Sequence, residues 1–334
     1  MVRPLATPSA PEQAPQPRLG LLWGASPPMR GVFEKIVRVA PTRALVLLTG
    51  DSGTGKDLAA QTIHRLSRRV DEPFLPLSCG ALSPALIESE LFGHERGGFP
   101  SASRLHKGHF ERADTGTLLL DEITEMPFEL QSKLLRVLET GTLLRIGGDK
   151  PVKVNTRVIA TTFQTPKAAV ERGDLRQDLL YRLSVFPIHM PPLRERGEDI
   201  TLLAELFLDR LNESFEGDRR LTPEALAILQ GHEWPGNVRE LENVIHRAFI
   251  LADGEAIDAR CLPEEIGGRA HSGRSLHFRL GSSIADVERK LILASLDYFD
   301  GNKRKTADVL GVSLKTLYNR LNAYRNEDQQ SGND

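Results

Sequence analysis

Gly50-Asp51-Ser52-Gly53-Thr54-Gly55-Lys56-Asp57 follows the apolar run Ala44 to Thr49 and opens a helical pattern carrying Leu58, Ile63 and Leu66. A buried strand, a glycine-rich turn and a helix in that order make a phosphate cradle. The glycines let successive backbone N–H groups converge on one anion, the helix N-terminus adds its dipole, and Lys56 reaches the outer phosphates. Asp57 stands where Ser or Thr usually follows the lysine, so a magnesium ion loses that hydroxyl ligand. Downstream, Thr117-Leu118-Leu119-Leu120-Asp121-Glu122 is an apolar strand ending in two carboxylates. Asp121 is expected to hold Mg²⁺ and Glu122 to polarise an attacking water. The expected cofactors are therefore ATP and Mg²⁺.

Working outward, Phe74 to Cys79, Arg157 to Thr162 and Val185 to Met190 read as further buried strands, with helices between them. One helix, Pro28 to Ala40, places Met29, Phe33, Ile36, Val37 and Ala40 on one face. The alternation predicts an α/β domain over residues 19–192, a parallel sheet flanked by helices. After Pro191 and Pro192 the strands stop, and 193–266 reads as a small all-helical unit: Ile200 to Asn212, a helix capped by Thr222 with Pro223 in its first turn, and Asn237 to Ala252. Residues 267–283 turn to Gly, Ser, His and Arg and read as a linker, 284–326 as a third, short all-α domain and 327–334 as a tail. Residues 1–18, with five prolines, carry too little apolar area to order themselves and read as a flexible tail.

Composition excludes several classes. The 334 residues are 40% hydrophobic and 26% charged, close to globular averages. Lys+Arg 43 against Asp+Glu 45 gives a net charge of -2, so any nucleic-acid surface is local. Cys79 and Cys261 are too few for a disulfide framework, no run is long enough to span a membrane, and no signal peptide is evident; a cytoplasmic protein is expected. Arg176 and Arg182, in Leu175-Arg176-Gln177-Asp178-Leu179-Leu180-Tyr181-Arg182, lie six apart and are candidates to reach a neighbouring subunit's γ-phosphate.

These residues resemble the NtrC class of bacterial enhancer-binding proteins, AAA+ ATPases that remodel the sigma-54 RNA polymerase. The resemblance rests on Gly50 to Asp57, Glu88-Ser89-Glu90-Leu91-Phe92-Gly93-His94-Glu95, Asp121-Glu122, Arg176 to Val185, Pro191 to Ile200 and Trp234-Pro235-Gly236-Asn237-Val238-Arg239-Glu240-Leu241-Glu242-Asn243, and covers about residues 19–262. It implies that 193–266 is a AAA+ lid, that Arg176 and Arg182 are trans-acting arginine fingers, that Arg239 is a second sensor of nucleotide, and that subunits form a homo-oligomer, from dimer to hexameric ring. Residues 284–326 are similar to the Fis-type helix-turn-helix that ends this family. Gly311 supplies the turn, Ser313 caps the next helix, and Lys303, Arg304, Lys305, Lys315, Arg320 and Arg325 face only Asp308 in charge. Double-stranded DNA is the implied partner, with the helix after Ser313 in the major groove. Lys303, Lys305, Ser313, Lys315, Thr316, Asn319 and Arg320 are the candidate DNA-binding residues.

The sequence departs from the family at four places. The loop that contacts sigma-54, normally Gly-Ala-Phe-Thr-Gly-Ala, is Gly97-Gly98-Phe99-Pro100-Ser101-Ala102. Ser78 replaces an asparagine that couples γ-phosphate to the catalytic glutamate, and in the first-sensor strand Thr162 is retained but Phe163 replaces a polar residue. No receiver domain is read ahead of the ATPase, so a regulatory protein partner is expected. The expectation is a DNA-binding transcriptional regulator with an ATP-binding AAA+ ring domain, acting with RNA polymerase holoenzyme but not competent to remodel sigma-54. The alternative is an ATP-hydrolysing sigma-54-dependent activator. A protein unfoldase and a replication initiator fit less well, the first for its lack of a helix-turn-helix and the second for the run Glu88 to Glu95.

Overall fold

A computed structural model describes residues 17–98, 104–263, 266, 283–299 and 301–330. The chain divides between Gly267 and Gly268 into two compact units. In the first, five strands form one parallel sheet: β1 (Val46–Thr49), β2 (Phe74–Ser78), β3 (Thr117–Asp121), β4 (Arg157–Thr162) and β5 (Phe186–His189), in the order β2-β3-β4-β1-β5. All five lie where the apolar runs predict them, with ends differing by a residue or two.

Period-two alternation splits the core between the two faces of the sheet. Leu118 and Leu120 pack with Ile87, Leu91, Phe110 and Leu134 on one face, whereas Leu119 packs with Met29, Ile36, Leu48 and Ile63 on the other. Every residue of β4 is buried, as a central parallel strand covered on both sides requires. The carboxyl ends of β1, β3 and β4 then open together on one edge, where parallel α/β sheets bind ligands.

Helix Pro27–Val39 buries Met29, Val32, Ile36 and Val39. Val37, expected on that face, is 54% exposed, because the true stripe runs through Val32 instead. Arg157, buried on β4, closes the helix C-terminus by donating to the carbonyls of Ala40 at 2.6 Å and Val39 at 2.9 Å. Burial, then the nearby Arg69, pushes its guanidinium down to about 10, and the negative end of the helix dipole compensates the charge.

The lid consists of helices Gly197–Phe215, Pro223–Gly231 and Asn237–Leu251 around a fully buried Trp234. The Thr222 hydroxyl accepts from Ala225 N, the cap the sequence predicts. Strands do not stop entirely after Pro192: Arg220–Leu221 pairs in parallel with Ala256–Ile257, two residues each, too short for a periodic signal. Two hairpins also escape the sequence reading. Arg18–Leu19 pairs with Leu22–Trp23 around Gly20 at φ 57°, so Arg18 belongs to the folded unit and not to the tail. Thr142–Leu144 pairs with Pro151–Lys153.

The second unit has helices Ile284–Tyr298, Lys303–Val309 and Leu314–Gln330. The last runs four residues past the expected end at Asn326, because no Gly or Pro interrupts it before Gly332. Pro17, expected in the tail, accepts from Gly24 N at 2.8 Å, and Ser283, expected in the linker, caps the first of these helices by accepting from Asp286 N at 3.1 Å; the other linker and tail residues expected from the sequence lie outside the described residues. Among the described residues no helix is long and apolar enough to cross a membrane.

One buried polar cluster ties the start of helix Pro27–Val39 to the lid. Asp199, fully buried, accepts from Ala25 N (2.6 Å), Ser26 N (2.9 Å), Ser26 Oγ (2.7 Å) and Arg196 Nε (2.9 Å). Asp199→Ala is expected to cost about 3–5 kcal/mol, because it strands the buried Arg196 cation. Urea unfolding followed by circular dichroism measures this, and a loss below about 1 kcal/mol would show that the fold does not need the pair.

Candidate functional site

The turn after β1 is built from glycine backbone. Gly50, Gly53 and Gly55 sit at φ 141°, 78° and 94°, a region other residues rarely adopt. Space excludes side chains as well: a Cβ on Gly50 would lie 2.5 Å from Met190 O, and one on Gly53 would lie 2.3 Å from Gly236 O. Thr54 Oγ1 donates to Asp51 O at 2.9 Å and stiffens the turn. Lys56, 7% exposed, points its Nζ back across the turn to Gly50 O at 2.9 Å and Asp51 O at 3.2 Å. The same Nζ lies 3.5 Å from Glu122 Oε1.

The acidic edge of β3 closes the cleft, which is lined by Ser52, Gly53, Lys56, Asp57, Asp121 and Glu122 among others. Glu122 is left-handed at φ 56° and ψ 61°, which turns its carboxylate off the strand line into the cleft. Thr161, buried on β4, fixes this corner from behind, donating to Asp121 Oδ1 at 2.6 Å and accepting from Glu122 N at 3.0 Å. The sequence singled out Thr162 instead, but its hydroxyl turns to Thr124 at 3.2 Å and Gln164 N at 3.0 Å. Phe163 keeps a polar role through its backbone alone: its N–H donates to Glu122 Oε2 at 2.9 Å while the ring stands exposed. Ser78 is exposed at the end of β2, in register with Asp121.

Two of the carboxylates in this cleft, Glu122 and Asp57, are held above the ordinary carboxyl range. Burial raises the Glu122 carboxyl above its ordinary range, against the pull of Phe163 N–H and Lys56. Asp57 is open to solvent on one side, but the cleft walls, followed by the charge of Asp121 and a hydrogen bond to it, raise its carboxyl too. Burial, and then Asp121 and Glu122, push the neighbouring Cys79 thiol up to about 12, so it holds no thiolate near neutral pH. Among the described residues no three His, Cys, Asp or Glu side chains are grouped to hold a metal alone. Asp121 and Asp57 do offer the hard oxygen donors that magnesium takes when phosphates and water complete its shell.

The lid touches the turn directly. Asn237, fully buried and left-handed at φ 54°, donates from Nδ2 to Ser52 O at 2.8 Å and accepts from Leu193 N at 2.8 Å. Val238 N donates to Gly53 O at 3.0 Å. Those contacts hold Arg239 over the cleft, its Nη1 3.4 Å from Ser52 Oγ, and Arg194 pairs with Asp51 at 3.1 Å. Sequence reasoning missed Asn237 and Arg194 as contributors: both lie far from the turn in sequence, and only the fold brings Asn237 onto Ser52 O and Arg194 onto Asp51.

Other sequence candidates lie elsewhere. Arg176 lines a separate depression with Phe128, Asp178 and Tyr181, and its guanidinium is held by Asp178 at 2.7 Å. Arg182 donates to Leu138 O at 2.7 Å. Neither lines the cleft of its own chain. Phe99, Pro100, Ser101 and Ala102 fall outside the described residues; Gly97 and Gly98 form the stem, and Gly98 packs so closely on the second hairpin that a Cβ would lie 2.5 Å from Ile146 O. Arg145 on that hairpin holds Glu95 at 2.7 Å and Glu111 at 2.6 Å, one on each side of the loop. These two carboxylates raise its pKa further. In the second unit Ser313 Oγ accepts from Thr316 N at 3.0 Å and caps the last helix.

Comparison with known proteins agrees in all three parts of the chain. Residues 22–189 match the sigma-54 interaction domain, 194–277 the AAA+ ATPase lid domain, and 283–324 the bacterial regulatory proteins of the Fis family. Regulatory protein AtoC of Escherichia coli strain K12 is 43% identical over 313 residues, spanning 90% of this chain and 68% of AtoC. Nitrogen fixation protein AnfA of Azotobacter vinelandii is 44% identical over 302 residues, 90% of this chain but 57% of AnfA. The crystal structure of NtrX from Brucella abortus in complex with ATP superposes with a TM-score of 0.68 at 37% identity, covering 92% of this chain and 70% of that one.

Asp57→Asn keeps the shape and removes the charge that burial and Asp121 penalise. A carboxyl raised in the folded state destabilises it once ionised, so the variant should melt higher than the parent at pH 8. That gain should shrink as pH falls into the carboxyl range, where Asp57 is itself protonated. Calorimetric melting at the two pH values decides it; a gain constant with pH would put the effect elsewhere.

Proposed function

The chain belongs to the sigma-54-dependent family of AAA+ transcriptional regulators, and from that premise we propose that it is a DNA-bound regulator that binds ATP with Mg²⁺ at the Gly50 to Asp57 turn. The observation that carries the reading is the convergence of the glycine turn, Lys56, the Asp121–Glu122 edge and Arg239 on one cleft. In this reading Lys56 leaves the carbonyls of Gly50 and Asp51 for the outer phosphates, and Asp121 with Asp57 holds the cation. The cation neutralises phosphate charge, while Glu122, set by Thr161 and Phe163 N, orients the attacking water. Hydrolysis requires a ring, since Arg176 and Arg182 stand away from their own cleft and would serve a neighbour's.

We further propose that this protein does not remodel sigma-54 polymerase as it stands. Pro100 fixes φ near -65° and lacks an N–H, restricting Phe99 before it, where the family has threonine. The second reading, a competent sigma-54 activator, is favoured by the Arg145 clamp, which holds both sides of the loop as an active loop would need. In vitro transcription with sigma-54 and housekeeping holoenzymes, on a promoter the protein binds, separates the two.

Lys56→Ala should abolish binding of a fluorescent ATP analogue; wild-type affinity in that variant would sink the nucleotide assignment. Pro100→Thr with Ser101→Gly should create or greatly raise sigma-54-dependent open-complex formation. Gly98 is left in place, because Ala there would strike Ile146 O. If the unaltered protein already opens a sigma-54 promoter with ATP, the loop is not defective.

A further inference from the structure

The second unit is organised around Ile292, Ala307, Leu317 and Tyr324, with Leu321 packed against them. Leu317, Leu321 and Tyr324 therefore define the inward side of helix Leu314–Gln330. At roughly 100° per residue, Lys315 and Asn319 lie within about 30° of the opposite direction, one turn apart. A helix that buries one side in its domain presents the opposite side to the groove floor, and its flanks to the phosphate walls. Thr316, Tyr318 and Arg320 are on those flanks.

Side-chain contacts divide the same residues. Thr316 Oγ1 is hydrogen-bonded to Ser313 Oγ at 2.7 Å within the cap. Lys303 Nζ sits 4.6 Å from the Tyr318 ring centre, and Arg320 Nε lies 3.2 Å from Glu288 Oε1 on the first helix. That exposed ion pair is worth under about 1 kcal/mol and would yield to a phosphate, so it is the flank position that keeps Arg320 from the bases. Of the two outward residues in the N-terminal turns of the helix, the part that meets base edges, Lys315 has only donors and suits guanine or phosphate. Asn319 carries a donor and an acceptor side by side. That pair matches N7 and N6–H of adenine, which no other base edge presents in the major groove.

Building on the DNA-binding reading above, we infer that Asn319 is the specificity-determining residue of this helix, reading adenine in each half-site, whereas Arg320 contacts the backbone and sets affinity alone. The test is selection by the full-length protein from a random duplex library at fixed salt, repeated with variants. The wild type should enrich a motif with an adenine that Asn319→Ala no longer selects, with discrimination at that one position falling roughly 5- to 150-fold. Asn319→Arg should move the preference there to guanine. Replacing that adenine by 7-deazaadenine should weaken wild-type binding and leave Asn319→Ala unchanged. Arg320→Ala should weaken all sequences alike and reduce the salt slope by about one.

If Asn319→Ala, folded by circular dichroism, keeps every base preference of the parent, or if Arg320→Ala erases a preference at one base, the inference is overturned. A wild-type protein that enriches no sequence and fails to bind duplex DNA even at low salt would overturn the DNA-binding reading itself, and this inference with it.

Discussion

The cleft depends on one contact between backbones: Gly53 lies so close to Gly236 that no side chain fits between them. Gly53 belongs to the phosphate turn and Gly236 to the loop that opens the last lid helix. Their approach lets Val238 N reach Gly53 O and the Asn237 amide reach Ser52 O, and it brings Arg239 to the cleft mouth. Turn conformation and lid orientation are therefore a single variable. The lid holds the turn directly, through the carbonyls of Ser52 and Gly53.

Charge is the second constraint. Asp57, Asp121 and Glu122 line the cleft together, with Lys56 Nζ 3.5 Å from Glu122 and Arg239 at its mouth. Burial penalises the ionised forms of Asp57 and Glu122, which hold protons more tightly than ordinary carboxyls. Such a site is unfavourable by itself and is improved by added positive charge. In the proposed function, a cation brought in with phosphates would supply that charge.

Legibility in the sequence followed interaction range. The five sheet strands were readable because each is a run of buried apolar residues with a turn at its end, and the turn at Gly50 to Asp57 because glycines must recur at fixed spacing. Asp121 and Glu122 were readable as charges ending an apolar strand. The two-residue strands at Arg220 and Ala256 and the hairpin at Arg18 were not, since they are too short to show a period. Thr161 was passed over for Thr162 because both are buried and polar; only the pairing of β4 with β3 decides which hydroxyl meets Asp121. Asn237 was hidden for a similar reason: its left-handed backbone and three-way bonding arise from the fold of the lid loop onto a turn far away in the chain.

The stem of the loop is anchored on the second hairpin. Arg145 anchors Glu95 before the loop and Glu111 after it, and Gly98 rests on Gly147 of the same hairpin. Ile146 completes the junction, with its N–H on Gly93 O and its carbonyl receiving Glu95 N. All of these contacts are made by residues outside the stretch Phe99 to Ser103. A change at Gly98, Arg145 or Gly147 acts on the anchor itself and cannot be separated from folding of the hairpin.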